Sequence, residues 1–309
     1  MKKITSGYFY FTCLLLLVFQ SGFAQLNQST DTANTAVSSI NKKRLAIVLG
    51  ASSLTLAASY IYVQNVWWSE NKQSFHFDDG ADYKYAINLD KCAHLMGGLI
   101  SAELTHDALK WAGLPENKAY LYSFVLGTTM HTFIEVKDGF AKTYGFSVGD
   151  IAAGTLGSAI PYLKYKFPKL NAFNFKFSYY KHDDFYFQQF SHGDWIDDYM
   201  NHTYWLTLSL NDWLPKGSKV EKVWPDFLCL AGGFGVDNTL NWYYKGINEP
   251  ENKGKGNYEY YLSLDIDWRK IIPQKTDGQK ILARTLNYIK IPLPTLRVGP
   301  STEFYWLFL

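Results

Sequence analysis

The hydrophobic period of this chain changes once, near residue 171, and that change constrains the fold more than any other feature. Upstream, the apolar residues recur at helical spacing. Leu45–Val63 holds no charged residue, Asp90 opens a run to about Trp111, and Lys118–Phe140 forms another. Gly113 and Pro115 separate the last two, with Asn117 placed to cap the second. Ser147 caps a further helix with Asp150 in its first turn, where the helix dipole favours a negative charge. Pro161 and Pro168 end the helical half.

Downstream, apolar and polar residues alternate, the period of a strand. Phe173, Phe175, Phe177 and Tyr179 share one face, and so do Leu206, Leu208 and Leu210. A run at 227–237 contains Gly232–Gly235, which reads as a strand with a glycine bend. Tyr260, Leu262, Leu264, Ile266 and Trp268 oppose Ser263, Asp265 and Asp267. Residues 301–309 form a last strand, and a short amphipathic helix lies near Gln279–Ile289. Five or six strands are fewer than the eight from which spanning barrels start. The expected class is therefore α+β: an N-terminal, membrane-associated helical bundle followed by a small antiparallel β-sheet or partial barrel, packed on or near the helices.

The N-terminus has the charged, apolar and small-residue segments of a secretory signal: Lys2 and Lys3, then Tyr8–Phe19, then Ser21–Ala24. Cleavage after Ala24 is expected. Cys13 lies inside the apolar stretch and no Cys closely follows the cleavage point, so a lipid-anchored start is not expected. The predicted organisation is a signal peptide at 1–24, a polar flexible leader at 25–42, a helical domain at 43–170 and a β-rich domain at 171–309. Cys92 and Cys229 remain after cleavage and read as buried free thiols rather than a disulfide framework.

Leu45–Val63 is at the threshold length for a spanning helix. Lys42, Lys43 and Arg44 precede it, and Trp67 and Trp68 follow, which suits an interfacial anchor. Aromatic residues make up 17% of the chain, and Tyr and Trp favour surfaces that are apolar at one end and wet at the other. The expected partner is a membrane or a membrane-associated protein. A formal net charge of +2 implies no nucleic acid.

One constellation can carry chemistry. Asp90 and His94 are four residues apart on one helix face, with Lys91 beside them. His131 and Glu135 have the same spacing on the next helix, followed by Asp138, and Asp150 opens a third. Ionisable groups in apolar helices are costly unless paired, so they are expected to meet. Two readings follow. In one, Asp90, Lys91, His94, Glu135, Asp138 and Asp150 form an acid–base cluster, or His94, His131, Glu135 and Asp138 hold a divalent metal, as carboxylates and histidines do in helix bundles. In the other, the groups cap helices and fix their packing. There is no H-E-x-x-H, Walker or G-x-S-x-G motif. The acidic–histidine stretches around His182–Asp184 and His192–His202 read as solvated loops.

Several stretches in this order, among them "NVWWSENKQSFHFDDG", "DKCAHLMGG", "EVKDGFAKTYGFSVGD" and "YLSLDIDWRKI", resemble a family of uncharacterised envelope proteins related to the YfiM-like predicted periplasmic lipoproteins. That resemblance implies export to the periplasm or an outer-membrane-associated envelope location. The helical core is also similar, more distantly, to the VanZ-like family, with its D-K-x-x-H helix start, acidic helix end and D-x-x-x-N-x-x-G helix. Asp90, Lys91, His94, Glu135, Asp150 and Gly157 match that pattern, while Gly154 stands where it has Asn. The resemblance implies a location and an architecture, and no reaction. The function expected is that of an exported accessory or structural envelope protein that binds a lipid or a partner. The alternative is a metal-assisted or acid–base hydrolase or transferase acting on a lipid or cell-wall precursor through the polar cluster.

Overall fold

The computed structural model describes residues 40–66, 68, 72–78, 86–142, 144–181, 195–196, 198–237, 257–299 and 301–309. The signal pattern, most of the leader and residues 182–194 lie outside these. Two compact units emerge, one of Met1–Asp79 with Ala93–Leu163 and one of Gly80–Cys92 with Lys164–Leu309. The class is α+β, helices first and a six-stranded antiparallel sheet after.

The helices are α1 (Lys42–Val66), α2 (Leu89–Trp111), α3 (Glu116–Asp138) and α4 (Val148–Lys166). α3 starts after Pro115, without a side-chain cap, so Asn117 falls inside its first turn. α4 runs through Pro161 to Lys166, a correction to the expectation that the proline would stop it. A proline inside a helix removes one hydrogen bond. Here Gly157 and Ser158, one turn before it, are packed against α2, and this packing holds the helix across the gap.

The interior of the helical unit is built from small residues. Along α3 the buried positions are Ala119, Ser123, Gly127, His131 and Glu135, one every fourth residue. A Cβ on Gly98 would strike the backbone of Gly154, and one on Gly157 would strike the Leu95 carbonyl. Helices pressed this closely use the small-residue packing common in membrane bundles. The large apolar residues point outward instead: Leu121, Val125, Leu126 and Phe133 on α3, and Ile47, Leu49, Leu54 and Ile61 on α1, are exposed. Leu45 and Val48 of α1 pack on Leu109, Ala112, Leu114 and Ala119. Arg44 stacks on the Trp111 ring at 5.0 Å and donates to its carbonyl at 3.2 Å. Among the described residues, Lys42–Asn65 is long and apolar enough to cross a membrane, and only 6% of it is buried.

The sheet is a meander, β1 (Phe173–Tyr179), β2 (His202–Ser209), β3 (Leu228–Asp237), β4 (Asn257–Ile266), β5 (Leu293–Gly299) and β6 (Glu303–Phe308), each strand paired with the next. The amphipathic helix α5 (Asp277–Leu286) lies between β4 and β5 and starts with a capping box of Thr276 and Gln279. The outer edge of β1 does not end free along its length. Phe177 exchanges backbone hydrogen bonds with Tyr288 and Lys290, both at 2.9 Å, so the chain entering β5 curls back over the first strand. β3 stays in unbroken register with β2 and β4, so its glycines make no bulge. Gly233 leaves room for the Trp205 ring, whose atoms lie 2.6 Å from where a Cβ would sit.

The buried face of the sheet is polar. Lys176 is fully buried, with its Nζ 2.6 Å from Asp265 Oδ2 and donating to the Ile266 carbonyl at 2.7 Å. Lys290 is also fully buried, its Nζ 4.5 Å from the centre of the Trp205 ring. Glu259 accepts from Tyr261 at 2.5 Å and from Arg297 at 2.8 Å. Cys92 and Cys229 are free thiols, Cys229 buried and Cys92 partly so.

Burial pulls the Lys290 amine down to about 8, with Lys176 adding to the shift and Asp265 opposing it. The unfolded amine titrates near 10.4, so between these values the unfolded chain holds more protons and stability must rise with pH. The expected gain is about 2 kcal/mol from pH 8 to about pH 9.5, and Lys290→Met should flatten that rise in denaturant titrations. The helical glycines give a second expectation. Gly157→Ala should cost about 1–3 kcal/mol by overpacking against Leu95. Gly50→Ala, with open space around it, should be neutral or stabilising by up to about 1 kcal/mol. Thermal denaturation of both variants compares them directly.

Candidate metal centre in the helical unit

Three helices each deliver one side chain to a common point. His94 lies on the second turn of α2, Glu135 on the last turn of α3, and Asp150 on the first turn of α4. His94 Nε2 is 4.0 Å from Glu135 Oε1 and 3.8 Å from Asp150 Oδ2. One ligand atom from each residue lies within 4.8 Å of the other two. Glu135 and Asp150 are buried, while the His94 side chain keeps 22% of its exposure.

The local sequence explains how the carboxylates are aimed. The Glu135 Oε2 atom accepts the Ser147 backbone N–H at 3.1 Å, just before α4. A carboxylate there satisfies a helix donor that has no partner within the helix, and it benefits from the dipole. Its second oxygen, Oε1, is the one directed at His94. Ser147 Oγ accepts the Asp150 N–H at 3.2 Å, the cap expected from the sequence, and this fixes the first turn that carries Asp150.

His131 is next to this point without sharing it. Its ring centre is 5.8 Å from that of His94. Its Nδ1 faces the Gly127 carbonyl at 3.1 Å, and it also hydrogen-bonds the backbone of His94. Burial holds the imidazole below its ordinary value, against the pull of those two bonds. The ring fills the space over Gly154, where any Cβ would collide with it.

Asp138 is held elsewhere. The Trp68 indole donates to its Oδ1 at 2.5 Å, and Lys137 beside it lies over the Trp68 ring at 4.9 Å. Asp90 and Lys91 stand on the first turn of α2, in the segment that clusters with the β-rich unit, and pair with each other at 3.0 Å. Ile87 and Asn88, just before that turn, both adopt left-handed backbone, at φ 46° and 66°. For a β-branched residue this conformation costs on the order of 1–3 kcal/mol. Burial, with Asp90 adding to it, pushes the Cys92 thiol up to about 12, which leaves it unreactive. The pairing of Trp68 with Asp138 had no signal in the sequence, since the two are 70 positions apart. Of the loop candidates, His182–Asp184, His192, Asp194 and Asp197 lie outside the described residues. Asp198 is buried and accepts from Tyr179 at 2.8 Å and from Asn201, and His202 belongs to β2.

One nitrogen and two carboxylate oxygens are a donor set for a first-row divalent ion. With bonds of about 2.1 Å, a tetrahedral ion sets its ligand atoms roughly 3.4 Å apart. The spacing found here is within about 1.4 Å of that.

Replacing Gly154 tests the packing of this centre. Gly154→Asn should destabilise by about 1–3 kcal/mol or more through the clash with His131. His131→Ala combined with Gly154→Asn should cost less than the two single changes added together, and a double-mutant cycle in denaturant measures the difference.

Residues 76–166 match a family described as predicted periplasmic lipoprotein (DUF2279), a stretch that contains His94, Glu135 and Asp150. No curated protein and no solved structure matches the chain. The family match supports an exported protein of the periplasmic cell envelope.

Proposed function

We propose that this envelope protein binds a divalent cation in its helical unit, with His94, Glu135 and Asp150 as ligands and α1 as its membrane anchor. The observation that carries the reading is the convergence of one imidazole and two buried carboxylates from three helices on a single point. Two carboxylates close together in a low-dielectric interior call for positive charge between them. A divalent ion supplies it while leaving His94 neutral, the form that ligates metals.

Three protein ligands leave further coordination positions for water or for an anionic oxygen. This is the arrangement of catalytic rather than closed structural metal sites. His94 is the ligand that keeps contact with solvent. An ion held there would supply Lewis-acid chemistry, which suits hydrolysis of a lipid or cell-wall precursor carrying an ester or phosphate. The likeness of the DKxxH core to the VanZ-like family and to the YfiM-like proteins belongs to this proposal too. It favours a substrate or partner at the membrane.

A second reading rests on the Ser147 N–H, which already occupies one oxygen of Glu135. In it the cluster joins the ends of three helices and the protein is an accessory envelope component.

Metal titration separates the two. Protein stripped with EDTA should take up one equivalent of Zn2+ or Mn2+ by calorimetry. At 100 times Kd the ion should raise the stability by about 2.7 kcal/mol. His94→Ala and Asp150→Asn should lose that uptake while keeping the helical circular dichroism. If the folded wild-type protein takes up neither metal, the accessory reading stands and the metal centre fails.

A further inference from the structure

The β-sheet has its polarity reversed, and the strand register shows this residue by residue. Phe175, Leu206, Gly232, Leu262, Leu296 and Phe304 are aligned partners across all six strands, so they form one row on one face. One residue away along each strand, Lys176, Trp205, Gly233, Tyr261, Arg297 and Glu303 form the neighbouring row on the other face. The first row is apolar and open: Leu206 is 52% exposed, Leu262 59% and Phe304 55%. The second row carries three charged residues, and Lys176, Trp205 and Tyr261 in it are buried.

An antiparallel sheet in water does the opposite, with its apolar face on the core and its polar face solvated. Here Lys176, Asp265 and Glu259 are inside, while the register places no Asp, Glu, Lys or Arg on the apolar face of β1–β6. Monomers in water rarely expose a continuous apolar patch of this kind. Lipid is the surrounding in which apolar-out and polar-in alternation is the stable arrangement.

We propose that this face of the sheet rests on a lipid bilayer at interfacial depth. Three features set that depth. Six strands are fewer than a spanning barrel uses. The outer edge of β6 has no strand partner among the described residues, and an open edge is not tolerated in the hydrocarbon core. Tyr258, Tyr260 and Trp306 stand on the exposed face, and such amphipathic rings favour the headgroup level. This site is separate from the metal centre and from α1, and either of those readings can fail without affecting it.

Spin labelling of the full chain tests the proposal where α1 cannot supply the signal. In a Cys13→Ser, Cys92→Ser, Cys229→Ala background, a nitroxide is placed at Leu262 or at Ser263. These are neighbours on opposite faces. With vesicles of phosphatidylethanolamine and phosphatidylglycerol, the label at 262 should gain oxygen accessibility severalfold and lose accessibility to a water-soluble nickel chelate. The label at 263 should change little. A label at 262 that stays open to the chelate with vesicles bound overturns the proposal. So does one shielded from both relaxants before lipid is added, since that shows a second copy or another protein on the face. Should the cysteine background not fold, brominated phosphatidylcholine vesicles serve with the native chain. Quenching of tryptophan fluorescence should fall in Trp306→Phe, and equal quenching in both proteins overturns the proposal.

Discussion

The helical unit depends on what is missing at three positions. Gly98 and Gly157 have no side chains, and the backbones of α2 and α4 come together because of it, while Gly154 makes room for the His131 ring of α3. Had Gly98 or Gly157 carried a Cβ, the axes of α2 and α4 would separate, and His94 would move away from Asp150. Burial of small residues yields little hydrophobic energy, so dispersion contacts and hydrogen bonds such as Ser158 Oγ to the Gly98 carbonyl at 3.4 Å carry more of the cohesion. The large apolar residues are thereby released from the interior and left on the outside of α1 and α3.

The β-rich unit uses the opposite means to a related end. Its interior is charged and closed by pairing: Lys176 with Asp265, Arg297 with Glu259 and Arg269 with Asp267 at 2.6 Å. A buried ion pair repays its desolvation only with good geometry and further hydrogen bonds, and removing one partner costs far more than the pair contributes. The polar interior therefore specifies one arrangement of the strands more than it stabilises them. Trp205, fully buried between Gly233 and Lys290, supplies the apolar mass at its centre.

Much of this was legible in the sequence, and the gaps have physical causes. The change of period near residue 171 gave the class, and the alternating runs gave the composition of each sheet face. Alternation cannot say which face is inward, because a period of two is the same from either side. Only the pairing of Lys176 with Asp265 resolves it. β5 escaped notice because Pro292 and Pro294 interrupt its pattern, and Pro294 contributes a carbonyl that accepts from Ser263 at 3.0 Å. Pro161 misled in the other direction, since local propensity yields to packing on Gly157 and Ser158. In the site, the four-residue spacings located His94 and Glu135. Asp138 has a helix-face spacing of three from Glu135, yet it stands at the helix end, where the Trp68 indole takes its carboxylate.

The exchange between His131 and Gly154 has a consequence for how such a chain can change over time. The space between α3 and α4 is occupied once, by an imidazole from one side. A larger residue at 154 is closed off while His131 remains. A smaller residue at 131 only opens a void, which a protein survives more readily than a clash with a buried ring. Substitution is therefore ordered, with position 131 shrinking before position 154 grows. The two positions share one volume, so the order in which they are changed decides whether each step is tolerated.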